Sequence, residues 1–208
     1  MTALSFGALL CDVDGVLRHW DDGAKADLEL EFGLPPGTIN TTALAPDRLG
    51  RAVTGLITDE QWRAQVAADL VPRCGSETRA DELVARWARL VGRVDEDVLR
   101  LLVEVRERAP VVLVSNATTK LEEDLDQLGV TDVLPTVVNS SRIGSAKPGP
   151  AIYRAAAEVA GTPVGRCLFV DDTAENVRGA EAVGMKGLVY RGVAVLRHTL
   201  APLLDCGA

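Results

Sequence analysis

Phe6-Gly7-Ala8-Leu9-Leu10-Cys11-Asp12-Val13-Asp14-Gly15-Val16 runs from an apolar stretch straight into two carboxylates and a glycine. The run from Phe6 to Cys11 has the length and composition of a buried strand. Asp12 and Asp14 therefore emerge at that strand's carboxyl end, and Gly15 lets the chain turn. In an open parallel sheet this is where ligands bind. Two acids at a buried strand end repel each other unless a cation or a shared proton relieves them. The arrangement is costly without a chemical use.

Outward from this stretch the chain has two characters. From Asp95 it alternates regularly between helix and strand. A helix over 95–109 leads to a strand at Val111–Val114, and a helix over 118–128 to a strand at Val133–Val138. A helix over 149–160 leads to Cys167–Val170, one over 174–183 leads to Gly187–Tyr190, and a last helix closes the chain. Such alternation predicts a parallel sheet with helices on both faces. Residues 16–92 read differently, as several helices with no strand. One helix spans 24–32, capped by Asp21 or Asp22 and stopped by Gly33 and Pro35. Residues 34–57 read as irregular. Thr58-Asp59-Glu60-Gln61 is a capping box for a helix reaching Leu70. Ser76 opens a helix with Leu83, Val84, Trp87, Leu90 and Val91 on one face.

Three further segments sit at strand ends. Ser115-Asn116 offers a hydroxyl and free backbone amides at a helix start, a natural seat for an anion. In Ala146-Lys147-Pro148 the proline is expected to start a helix and hold the lysine just outside it. Asp171-Asp172-Thr173 is a second acidic pair, with Thr173 placed to cap the next helix. Asp12, Asp14, Asp171 and Asp172 carry four negative charges and Lys147 returns one. A bound Mg²⁺ leaves one, which a proton on Asp14 removes. Hard carboxylate donors suit Mg²⁺, not a soft metal. Each segment alone has an ordinary reading as a turn, a cap or a solvated charge; their occurrence together and in order does not.

The totals narrow the classes further. At 208 residues there is room for one α/β domain of about 130–150 residues plus an insertion. The net charge of −8 argues against nucleic acid and anionic membranes as partners. No apolar stretch reaches the roughly 20 residues of a membrane span, and the amino end does not resemble a signal peptide. Cys11, Cys74, Cys167 and Cys206 lack metal-site or CxxC spacing, with Cys11 and Cys167 read as core residues. A reduced, cytoplasmic setting is expected.

Taken together, Asp12-Val13-Asp14-Gly15-Val16, Ser115-Asn116, Lys147-Pro148 and Asp171-Asp172 resemble the four ordered motifs of the haloacid dehalogenase superfamily of hydrolases. Ser140-Ser141-Arg142-Ile143-Gly144 and Asp171 through Ala180 look closest to its sugar-phosphate phosphatases and to phosphatase domains fused to epoxide hydrolases. The resemblance implies an α/β fold: a Rossmann-like doubly wound parallel sheet core from residues 1–15 and 93–208, with an inserted α-helical cap at 16–92. It also implies roles. Asp12 would be the nucleophile that forms an aspartyl-phosphate, and Asp14 the acid and then the base. Ser115 and the Asn116 amide would hold phosphoryl oxygens, and Lys147 would neutralise Asp12 and the transferring group. Mg²⁺ would be held by Asp12, the Asp14 backbone carbonyl and Asp172. Asp171 and Asn176 would support the site from behind, although the two acids of the pair could exchange roles.

The expected activity is Mg²⁺-dependent hydrolysis of a small phosphorylated metabolite such as a sugar phosphate. The alternatives are 2-haloacid dehalogenation, which needs neither Asp14 nor the full acidic pair, a phosphomutase, or a non-catalytic binding module. His19 and Trp20, which follow the nucleophile loop, are candidates for substrate contact. Trp62 and Trp87 fit helical packing, with a homodimer surface as a further use. Arg48, Arg51 and Arg63 are read as solvated and His198 as a surface residue. Gly15 and the stretch near Gly92 are hinge candidates.

Overall fold

The computed structural model describes residues 6–204 of the chain, so Cys206 lies outside the described residues. In chain order the elements are β1 (Ala8–Cys11), β2 (Arg18–His19), α1 (Asp22–Glu31), α2 (Thr38–Ala43), α3 (Pro46–Val53), α4 (Asp59–Cys74), α5 (Glu77–Trp87) and β3 (Arg93–Val94). Then follow α6 (Glu96–Arg106), β4 (Val111–Ser115), α7 (Leu121–Gln127), α8 (Val130–Val133), β5 (Val137–Asn139), α9 (Ser140–Ile143) and α10 (Pro150–Val159). The chain closes with β6 (Cys167–Asp171), α11 (Ala174–Ala182), β7 (Lys186–Val189) and α12 (Val193–Leu204).

Five strands form one parallel sheet in the order β5-β4-β1-β6-β7. The chain fills one side of β1 with β4 and β5, then crosses to the other side for β6 and β7. The direction of winding thus reverses beside β1, and the crevice at such a switch point is the natural ligand site of an open α/β sheet. β1, β4 and β6 are buried along their whole length, because helices cover both faces; this is why they read as unbroken apolar runs. One face packs Leu9, Cys11, Leu113 and Val170 against Val98, Leu101, Leu102 and Leu196. The other packs Leu10, Val112, Val114 and Phe169 against Ile152, Tyr153 and Ala156.

The helices α1–α5 build their own apolar cluster around Leu28, Ile39, Trp62, Val66, Leu70 and Leu83. Asp21 caps α1 by accepting from the Ala24 amide, and the Thr58–Gln61 capping box at the start of α4 is formed on both sides. Glu29, buried on α1, accepts hydrogen bonds from the Gly37 and Ile39 amides and so holds the start of α2. The segment rests on the sheet domain at two points. Thr118 donates to the Asp59 carboxylate (2.7 Å) while Thr119 accepts from the Asp59 amide (3.0 Å). Gly55 passes so close to the Ser141 carbonyl that a Cβ would lie 2.1 Å from its oxygen, at a φ of +72° that disfavours a side chain in any case.

Several expectations need correction. Residues 34–57 contain α2 and α3, each too short for a periodic signal. Arg18–His19 is a strand after all, paired antiparallel with Arg93–Val94, in a ribbon only two residues long on each side. Helix α4 continues past Leu70 through Pro72 to Cys74 and ends at Gly75 with φ +85°. Val130–Val133 is helical, so the strand expected at 133–138 shrinks to Val137–Asn139. Pro148 does not start a helix; α10 begins at Pro150 after Gly149. Thr173 occupies the N-cap position of α11 but its side chain accepts from no helix amide; its hydroxyl donates to Asp172 (3.1 Å).

Candidate active site

The site is assembled by backbone register. Cys11 lies level with Val170 in the β1–β6 pair, so Asp12 and Asp171 leave their strands side by side. The Asp12 amide still bonds the Val170 carbonyl at 2.8 Å, which fixes the first residue of the loop as firmly as the strand. Lys147 arrives from the loop before α10. Its ammonium sits 2.7 Å from Asp12 Oδ1 and 2.7 Å from Asp171 Oδ2, and donates to the Val114 carbonyl at 3.1 Å. Three N–H donors meet three acceptors, the full capacity of an ammonium. All three charged residues are buried.

Burial pushes the Asp12 carboxyl up to about 8, with Lys147 opposing that rise and Asp171 adding to it. Burial likewise works against charge on Lys147, but Asp12 and Asp171 outweigh it and hold the ammonium above its ordinary value. Asp171 also accepts from the Thr173 amide (2.8 Å) and from Asn176 Nδ2 (3.1 Å to each oxygen). Together with Lys147 these bonds engage both of its oxygens. Tyr153 donates to the Asn176 carbonyl at 2.7 Å and steadies that residue in turn.

Asn116 works on the same lysine from outside. Its Oδ1 accepts from the Lys147 amide (2.7 Å) and its Nδ2 donates to the Lys147 carbonyl (2.8 Å), clamping the loop against the end of β4. Ser115, the last residue of β4, is buried beside it. Ser140, expected only as part of a family-like run, accepts from the Ala117 amide at 3.0 Å and shapes the same loop.

Asp14 has a partner that the sequence reading missed. Arg18 Nε and Nη2 bond its two carboxylate oxygens at 2.7 and 3.0 Å, and Arg18 Nη1 reaches Asp124 at 3.5 Å. The i,i+4 spacing of Asp14 and Arg18 was visible, but it signals a pair only where the backbone turns, as it does at the positive-φ Gly15. His19 faces Asp95 at 3.5 Å, whereas Trp20 lines a cavity above the site. His198 is exposed on α12 and Arg51 is exposed on α3. Arg48 pairs with Asp69. Arg63 is not solvated as expected: it pairs with Asp59 at 2.6 Å and lies over the Trp87 ring. Cys11, Cys74 and Cys167 are buried free thiols, and burial pushes Cys11 far up, out of reach of reactivity.

The donor set fits a hard divalent cation. Oxygens of Asp12, Asp171 and Asp172 lie within 4.8 Å of one another. With Asp14 matched by Arg18, these three carboxylates and Lys147 leave two uncompensated negative charges, which one Mg²⁺ cancels. Gly15 is shaped to the same end. A Cβ there would fall 2.2 Å from Asp172 Oδ2, so only glycine lets the loop after β1 close on that carboxylate.

Residues 6–184 match the family model of haloacid dehalogenase-like hydrolases. The chain belongs to this family. It is 32% identical over 219 residues to Phosphatase MT3486 of Mycobacterium tuberculosis (strain CDC 1551 / Oshkosh), covering 99% of this chain and 97% of that protein. It is 26% identical over 112 residues to the human N-acylneuraminate-9-phosphatase, covering 51% of this chain and 45% of that enzyme. The fold is also that of the HAD family enzyme bt-2542 of Bacteroides thetaiotaomicron, solved with magnesium and inorganic phosphate. That match has a TM-score of 0.71 and 23% identity, over 89% of this chain and 94% of that one. An L-2-haloacid dehalogenase of Xanthobacter autotrophicus shares the fold at a TM-score of 0.63 and 20% identity, over 94% of this chain and 83% of that one. Among the described residues no helix is long and apolar enough to cross a membrane.

Proposed function

We propose that this dehalogenase-like hydrolase is a Mg²⁺-dependent phosphomonoesterase acting on a small phosphorylated metabolite through an aspartyl-phosphate on Asp12. The observation that carries the reading is the Lys147 ammonium, held between Asp12 and Asp171 at the switch point of the sheet. A buried carboxylate with a fixed cation on one oxygen keeps its other oxygen for attack.

Asp12 attacks phosphorus and the bond to the leaving oxygen breaks, so the phosphoryl group passes to Asp12. The departing alkoxide takes a proton from Asp14. For this Asp14, ionised while Arg18 holds both its oxygens, leaves Arg18 and takes up a proton from water as the substrate enters, and then bonds the leaving oxygen. Asp14 then takes a proton from water, the resulting hydroxide attacks phosphorus, and the Asp12–phosphorus bond breaks to release phosphate. Lys147 balances charge on Asp12 and on the phosphoryl oxygens in both steps, and Ser115 with the Asn116 amide orients those oxygens. Asp12, the Asp14 carbonyl and Asp172 would hold Mg²⁺, whose charge shields the approach of one anion to another. The helices α1–α5 would act as a cap over the leaving group.

The test is release of inorganic phosphate from a panel of phosphate monoesters, with Mg²⁺ and with chelator, in wild type and Asp12→Asn. Metal-dependent release that disappears in the variant is the expected result. Absence of release from every ester overturns the reading and directs the next assay to halide release from 2-haloacids.

A further inference from the structure

A cavity of about 270 Å³ opens above the site, reaching from Asp14 and Asn116 at the sheet end to the inner faces of α1–α5. All three tryptophans of the chain, Trp20, Trp62 and Trp87, line it, and none of its phenylalanines or tyrosines does. In a chain with only 4% aromatic residues, Trp62 and Trp87 serve both the core of α1–α5 and the cavity wall. The Trp62 and Trp87 rings lie 5.3 Å apart, and the Arg63 guanidinium stacks 4.5 Å from the Trp87 centroid. Trp20 is 38% exposed yet fixed, because Arg18 stacks on it at 4.5 Å. Leu44, Leu49 and Leu90 complete the apolar walls.

Most polar groups lining the cavity are held by other groups of the protein, the Asn40 amide and the Trp20 indole N–H being among the exceptions. Asp59 is taken by Arg63 and Thr118, Asp124 by Arg18 and Lys120, and the Asn116 amide group by the Lys147 backbone. A polyol entering here would give up water for few free partners. A second anionic group fares no better. Arg18 is held by Asp14 and Asp124, Arg63 by Asp59 and Lys25 by Asp22, so each cation lining the cavity already has a carboxylate. Arg63 Nη1 has no hydrogen-bond acceptor, but it is closed off from solvent, as befits a stacked guanidinium and not an open anion receptor.

Resting on the phosphomonoesterase reading, we propose that the leaving group is a small aromatic alcohol of one or two rings, seated in the cavity that the three tryptophans line. The volume sits just below the usual small-molecule range of about 300–1,000 Å³, which suits a ring on a short arm. The default sugar phosphate is thereby disfavoured.

Benzyl phosphate, glucose 6-phosphate and phosphoglycolate are all alkyl esters, so their comparison isolates recognition from leaving-group acidity. Benzyl phosphate is expected to exceed both others in kcat/KM by at least about tenfold, with aromatic stacking as the source. Trp87→Leu is expected to bring that ratio towards one through KM. Should the variant fold poorly, benzylphosphonate on the wild type keeps the test open: it is expected to quench tryptophan emission at concentrations where methylphosphonate does not. Equal or greater turnover of glucose 6-phosphate or phosphoglycolate, or equal effects of the two phosphonates, overturns the aromatic assignment and leaves the phosphatase intact. Failure to release phosphate from any ester overturns the phosphatase reading itself, and this proposal with it.

Discussion

The carboxyl end of the sheet and the cavity wall of α1–α5 face each other across the same space, yet they are built by opposite rules. At the sheet end Asp12 and Asp171 are placed by strand register, Lys147 reaches them from the loop before α10, and all three are buried. On the helical side the groups that matter come from five helices and their loops, meet only through packing, and remain partly open to solvent. The first region requires particular residues at particular backbone positions. The second tolerates any set of side chains that encloses the right shape. On the proposed function chemistry and selectivity are separable, and substitutions in the two regions should differ in kind: loss of turnover on every ester for one, altered ranking of esters for the other.

The largest break is expected from Asp12→Asn. Phosphate release should fall by more than about 10⁴-fold, the scale for removing a covalent nucleophile, and equally for every ester, measured at saturating Mg²⁺. Lys147→Ala should come next and should also damage the fold. It leaves Asp12 and Asp171 buried side by side without their cation, a loss of about 3–5 kcal/mol for a broken buried pair. At about 2–4 °C per kcal/mol for a chain of this size, the melting temperature should drop by roughly 10 °C. A Lys147→Ala protein that melts with the wild type would show that the ammonium contributes nothing to holding the sheet end together.

The same contrast explains what could be read from the chain. Strands β1, β4 and β6 are apolar runs because they are buried on both faces, and acids close β1 and β6 while Ser115-Asn116 closes β4, so both fold and motif were legible. The Thr58 capping box was legible because it is local. The two-residue strands β2 and β3 were not, since nothing periodic survives at that length. Short α2 and α3 depend on tertiary support, including the buried Glu29 carboxylate on the Gly37 and Ile39 amides. Arg63 read as a solvated cation because its partners, Asp59 and the Trp87 ring, become neighbours only when α4 and α5 pack. Thr173 stands at the expected N-cap position of α11, yet its side chain takes no amide there.

Gly15→Ala sharpens the contrast without removing a functional group. The new methyl would meet Asp172 Oδ2 at 2.2 Å, and the φ of +87° adds backbone strain. Asp172 must swing away, so the Mg²⁺ concentration giving half-maximal turnover should rise by about 10–100-fold, as for lost support of a metal ligand. The ranking of esters should not change. A changed ranking with an unchanged metal requirement would place Gly15 in the service of the cavity instead of the sheet end.

The smallest effect is one of stability against pH, and its sign follows from burial. The Asp12 carboxyl is pushed up to about 8 in the folded protein, chiefly by desolvation, and returns to about 4 when the chain unfolds. A group whose folded pKa is raised gives its full stabilisation below the unfolded value and loses it as pH climbs towards the folded one. Metal-free wild type should therefore lose stability between about pH 4 and 8 relative to Asp12→Asn, whose amide cannot ionise. The variant should be the more heat-resistant protein at pH 8, by several degrees at about 2–4 °C per kcal/mol. Mg²⁺ should narrow the gap by stabilising the wild-type carboxylate. Melting curves at pH 5 and pH 8, with and without Mg²⁺, decide it: parallel pH dependences for the two proteins would mean that the sheet end carries no stored charge for a divalent cation to relieve.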